Sequence, residues 1–133
     1  MSKSVIYSAN TSSQTVASGG VISPGTIVRR FGCALDLNGN GITASDPGYY
    51  NVNVSVTAEP AAAGTVTISL INNGITVPGA TASATAAAAG DPVNVSLDGI
   101  IRVLCGAVSS TLTLVLSGEA STVTNVTFTV VKI

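Results

Sequence analysis

The sequence predicts an all-β domain in which two antiparallel sheets close over one core. Apolar and polar residues alternate with a period of two in several separate runs, which is the signature of half-buried strands. Turn-forming residues, among them 14 Gly and 5 Pro, interrupt these runs at the spacing of a sandwich or barrel. No convincing helix competes with them. At 133 residues and 46% apolar content the chain has the size of one domain and ample core. Closure is favoured because so many Thr- and Val-rich edges would otherwise template aggregation.

The chain opens MSKSVIYSANTSSQTV, with Lys3 its only charge and an apolar run, Val5-Ile6-Tyr7, too short for a signal-peptide core. No stretch approaches a membrane span, so no membrane partner is expected and folding is expected in a cytosol. Residues 10–25, rich in Ser, Thr and Gly, read as a loose or short-stranded entry that ends in the Pro24-Gly25 turn. This divides the chain into an arm with a short strand, 1–25, and a main domain, 26–133.

Thr26–Phe31 and Cys33–Leu37 are short β segments separated by Gly32, a bulge or a corner. Asn38-Gly39-Asn40-Gly41 is a strong hairpin signal, and Gly41–Ala44 starts the return. Asp36, Asn38, Asn40 and Gly41 also match the opening of a calcium loop, but Pro47 stands where a bidentate Glu belongs. The hairpin reading is therefore preferred, because Asn-Gly pairs supply positive φ in a tight turn.

From Tyr50 to Val56 the even positions are apolar and the odd ones polar, and Val66, Ile68 and Leu70 repeat the pattern. The segment Glu59–Gly64 joins the two runs, which are expected to pair as an antiparallel unit. Tyr50 shares the face of Val52, Val54 and Val56; Tyr49 shares the face of Asn51 and Asn53. Asn72-Asn73-Gly74 is a turn. The low-complexity stretch from Ala80 to Pro92 reads either as a strand of small side chains or as a slack surface loop. Val93–Leu97, a break at Asp98-Gly99, Ile100–Leu104, then runs around Leu112–Leu116 and Val126–Val130 complete eight to ten strands.

Only 8% of residues are charged, five basic and six acidic, against a usual share of about 25%. Either Ser, Thr and Asn cover the surface, or much of it is buried against copies of the same chain. Arg29-Arg30 is the only basic pair and no aromatic residues interleave with it, which argues against nucleic acid. Cys33 and Cys105 have no metal-ligand spacing; they are either two buried thiols or a disulfide that forms in an oxidising medium. With no His, no Ser/His/Asp or Cys/His arrangement exists, so no catalytic residue, cofactor or metal is expected. The N-x-[ST] sites at Asn10, Asn53, Asn94 and Asn125 are read as strand composition.

The string GNGITASDPGYYNVNVSVTAEPAAAGTVTISLINNGITVPGA, with its G-I-T, P-G-Y-Y, L-x-x-N-G and V-P-G-A elements, and the ending TNVTFTVVKI resemble the tumour-necrosis-factor-like jelly rolls found at the C-termini of bacterial collagen-like exosporium glycoproteins. The resemblance implies a jelly-roll β-sandwich that is homotrimeric, with Tyr49 or Tyr50 and the final strand near the threefold axis; of the two, the period of two puts Tyr49, on the polar face, at the trimer interface. No Gly-X-Y stalk precedes the domain, which weakens a spore-hair role. The YSANTSSQ start and the RRFGC segment instead resemble small virion proteins of bacteriophages of Gram-positive hosts. That resemblance implies a non-enzymatic capsid decoration protein at the virion surface; its opening residues Ser2, Lys3, Ser4, Val5, Ile6 and Tyr7, part of a polar terminus of the kind that orders on contact with a partner, are expected to anchor it to the major capsid protein or another particle surface protein. The alternative is a carbohydrate- or receptor-binding knob on a phage fibre or spore surface, for which three Tyr, two Phe and no Trp leave few stacking surfaces.

Overall fold

A computed structural model describes residues 3–104 and 109–133. Twelve strands are present among the described residues: β1 (Val5–Asn10), β2 (Gln14–Val16), β3 (Val21–Ile22), β4 (Thr26–Phe31), β5 (Leu35–Asn38), β6 (Gly41–Ala44), β7 (Gly48–Pro60), β8 (Gly64–Asn72), β9 (Ile75–Ala86), β10 (Val93–Val103), β11 (Ser110–Gly118) and β12 (Ser121–Lys132). They form two six-stranded sheets. Sheet I runs β10-β7-β12-β1-β4, with β2 beside β12; sheet II runs β5-β6-β11-β8-β9, with β3 beside β11. Every pairing is antiparallel.

The alternation in the sequence has its physical cause in the space between the sheets. Tyr50, Val52, Val56, Phe128 and Val130 of sheet I face Ile68, Leu70, Leu112, Leu114 and Leu116 of sheet II, all of them fully buried. Burial of such side chains is worth about 1.5–3 kcal/mol each, and a one-residue slip in any strand would turn its apolar set outward. Outside the core, sheet II carries hydroxyls: Thr65 meets Thr85 at 3.1 Å, Thr67 meets Ser83 at 2.9 Å and Thr81 meets Ser69 at 3.3 Å. Cross-strand Ser/Thr pairs thus solvate this face without charge.

Two turns show how the sequence sets backbone geometry. Asn73 (φ 51°) and Gly74 (φ 85°) connect β8 to β9, the double positive φ of a type I′ hairpin. At the other, Gly32 has φ +82°, and a Cβ placed there would lie 2.5 Å from both the Lys3 carbonyl oxygen and Ser4 Oγ. It is a corner that only glycine can occupy.

Three expectations are corrected. β7 and β8 do not pair: β7 has β10 along one edge and β12 along the other, so no edge is left for β8, and Ala61–Ala63 carries the chain across to sheet II. β10 runs unbroken through Asp98 and Gly99, with Gly99 opposite Val52. Of the two readings of the Ala/Thr stretch, the strand of small side chains holds through Ala86, with Ala80 and Ala86 buried.

The third correction concerns the opening residues. β1 lies between β12 and β4 over its whole length, Ile6, Ser4 and Ser8 are fully buried, and Lys132 N–H donates to the Ser4 carbonyl at 2.8 Å. Residues 4–10 are part of the sandwich, with no boundary near residue 25. The sequence pattern hid this because two inward positions are serines: Ser8 Oγ donates to the Phe128 carbonyl (3.3 Å), and the Ala34 N–H donates to Ser4 Oγ (3.4 Å). A small buried hydroxyl with a backbone partner costs little.

Candidate functional site

The residues that set this protein apart lie on the outward face of sheet I. Register places them in rows across the strands. Ile100, Asn51, Val131, Val5 and Phe31 form one row, from β10 through β7, β12 and β1 to β4. Asp98, Asn53, Thr129, Tyr7 and Arg29 form the next. Beyond Ile100, Arg102 stands opposite Tyr49, its guanidinium carbon 5.7 Å from the ring centroid, and Ile133 N–H donates to the Tyr49 carbonyl at 2.9 Å.

One end of this face is therefore apolar and aromatic, and the other is polar. Tyr49 is 51% exposed, Ile100 60% and Phe31 67%. Toward the polar end a shallow depression of about 400 Å³ is lined by Asn53, Ser55, Ser96, Asp98, Thr127 and Thr129. Asn94 Nδ2 donates to Ser55 Oγ and to Thr57 Oγ1, both at 3.3 Å, and Ser96 Oγ donates to Asn94 Oδ1 at 3.1 Å. Apart from the Asp98 carboxylate, the depression presents hydroxyls and amides.

Tyr49 and Tyr50 are divided between faces as the strand period requires. Tyr50 has no exposed surface, and its hydroxyl donates to the Asp46 carbonyl at 2.6 Å. Burial pushes the phenol above its usual value, and the Asp46 charge adds to the effect. Tyr49 is the sequence-predicted interface residue, and the structure leaves it on the open face.

The other expected site residues do not come together. Ser4 and Ile6 are fully buried, Val5 and Tyr7 half-buried, and Lys3 exposed; Ser2 lies outside the described residues. Ser4 and Ile6 cannot touch a particle, because their surfaces are spent on the sandwich. Cys33 is exposed, contrary to the buried-thiol reading, because it sits on the corner after β4; Cys105 lies outside the described residues, and with it the disulfide. Asp36, Asn38 and Gly41 belong to the β5–β6 hairpin, Asn38 pairing with Gly41. Asp36 Oδ1 accepts from Leu37 N–H at 3.0 Å and stands 3.5 Å from Arg30 Nη1. No group of three or more His, Cys, Asp or Glu gathers among the described residues.

Sequence reasoning read Thr26–Phe31 and the runs within Val93–Leu104 as strands without placing them at the edges of sheet I. All six residues of β4 are exposed, and a strand without a buried face shows no alternation. Its one legible signal was the lack of a polar partner pattern in Thr26–Phe31.

Comparison with solved structures agrees with this geometry. Murine APRIL at pH 5.0 superposes with a TM-score of 0.76 at 14% identity, covering 99% of this chain and 100% of that one. Eiger TNF from S. frugiperda gives 0.71 at 12% identity, covering 98% and 91%. The fold is the tumour-necrosis-factor-like jelly roll. PRD1 vertex protein P5 shares it, with a TM-score of 0.63 at 16% identity and coverage of 98% and 96%. No protein-family model and no curated protein matches the sequence, so the likeness to exosporium glycoproteins stays with the motifs quoted above.

Proposed function

We propose that this chain is a non-enzymatic structural protein, a homotrimer assembled through the outward face of sheet I, which decorates the capsid surface of a bacteriophage virion. One observation carries the reading. Of the nine large apolar side chains exposed among the described residues, Ile27, Val28, Phe31, Tyr49, Ile100, Leu104 and Ile133 lie on sheet I or at the ends of its strands, leaving only Val21 and Ile75 on sheet II. Phe31, Tyr49 and Ile100 stand on the outward face of sheet I, and an apolar concentration of this kind marks an association surface. It also accounts for eleven charged residues on a surface of 6370 Å².

The likeness to a vertex protein supports the virion location. Within the opening segment, Lys3 is the exposed residue this reading retains as an anchor to the major capsid protein or another particle surface protein. Mass spectrometry of purified virions tests the location: the chain is expected among the particle proteins in multiples of three per attachment point. Recovery only in the culture fluid, bound to host cell wall, overturns the decoration role in favour of a receptor-binding knob.

A further inference from the structure

The inference rests on the trimer reading above and deepens it by naming how one copy meets the next. The two edge strands of sheet I, β10 and β4, are unlike each other. In the two rows already described, β10 presents Ile100 and Asp98, and β4 presents Phe31 and Arg29 at the same heights. Asp98 and Arg29 have no ion-pair partner among the described residues; the pairs found there are Arg30 with Asp36 and Lys132 with Asp46.

We infer that copies join head to tail, β10 of one beside β4 of the next, so that Ile100 packs on the next copy's Phe31 and Asp98 pairs with its Arg29. The four intervening antiparallel steps leave β10 and β4 running in the same direction, so rotation about an axis along the strands keeps each row at one height. Apolar then meets apolar and acid meets base. A two-fold contact of β4 with itself instead brings the Arg29-Arg30 pairs of two copies together, which like-charge repulsion opposes. A heterologous contact of this kind must close into a ring or run on as a fibre.

Wall width selects the ring. With strands about 4.8 Å apart, five of them make a wall about 24 Å wide, and three such walls leave an inscribed radius of about 7 Å. One layer of side chains reaches about 5 Å, half the usual spacing of packed sheets, so three walls nearly fill their centre, whereas four leave a radius of about 12 Å and an open channel. The larger side chains at the apolar end, Tyr49 and Val131, close the ring there; the Ser/Thr/Asn depression leaves the other end wet.

Charge reversal tests this. Arg29→Asp and Asp98→Arg are each expected to weaken self-association about tenfold or more in sedimentation at low salt, through like charges set side by side, while the double variant regains most of the wild-type affinity. Both positions are exposed, so unchanged melting of dilute protomer checks that folding is intact. Singles that assemble like wild type, or a double no better than the singles, overturn the edge pairing. If in that case Tyr49→Ala still dissociates the trimer, the trimer stands and only the pairing fails; a wild-type chain that is monomeric overturns both.

Discussion

Tyr49 and Tyr50 are neighbours in one strand, yet the first is 51% exposed and stacked beneath Arg102 while the second is wholly buried and bonded to the Asp46 carbonyl. One residue of chain separates an association surface from the core, so the two side chains report on different equilibria.

Tyr49→Ala removes an aromatic anchor from the open face of sheet I. We expect it to lower trimer stability by about 2 kcal/mol or more and to leave the far-ultraviolet spectrum of the protomer unchanged. Sedimentation across a dilution series checks this. A trimer as tight as wild type would show that the face is not an interface.

Tyr50→Ala opens a core cavity and should cost about 3 kcal/mol or more in folding. Tyr50→Phe keeps the volume but loses one hydrogen bond, about 1 kcal/mol. The phenol also has a pH consequence. Its folded pKa is raised by burial and by Asp46, so its contribution is complete below the unfolded value of about 10 and is lost as pH rises through the folded one. The wild type should therefore lose melting temperature above pH 10 more steeply than Tyr50→Phe. Parallel alkaline slopes for the two proteins would contradict the assignment.

Removal of residues 2–10 takes β1 from between β12 and β4, exposes two strand edges and uncovers the core beside Ile6. We expect loss of cooperative thermal unfolding. A truncated chain that melts like the full one would show that the opening segment is a dispensable arm after all.

Gly32→Ala should destabilise the protomer by about 2 kcal/mol or more, since it combines a positive φ with a Cβ 2.5 Å from the Lys3 carbonyl and Ser4 Oγ. Gly39→Ala, at a turn with open space around it, bears only the conformational part and should cost less. Chemical denaturation of the two variants separates crowding from backbone strain, and equal costs would count against the corner.

The long strands were legible because their buried faces are built of large residues: Val52, Val54 and Val56, or Leu112, Leu114 and Leu116, can face only one way. The opening strand was not, because Ser4 and Ser8 take inward positions that a hydropathy pattern assigns to solvent. Which strands pair was also hidden. Nothing local in Glu59–Gly64 says that the chain changes sheets there; that follows from β10 and β12 claiming both edges of β7. For the site, the outward position of Tyr49 followed from the period of two. The rows from Ile100 to Phe31 depend on register between strands far apart in sequence, and the exposure of Cys33 depends on a corner set by Gly32.

Equilibrium sedimentation of the full chain at micromolar concentration and low salt addresses the central claim most directly. The account predicts a single species of three protomer masses that dissociates on dilution without loss of β structure. A stable species of one protomer mass, with Tyr49, Ile100 and Phe31 left in solvent, would contradict it.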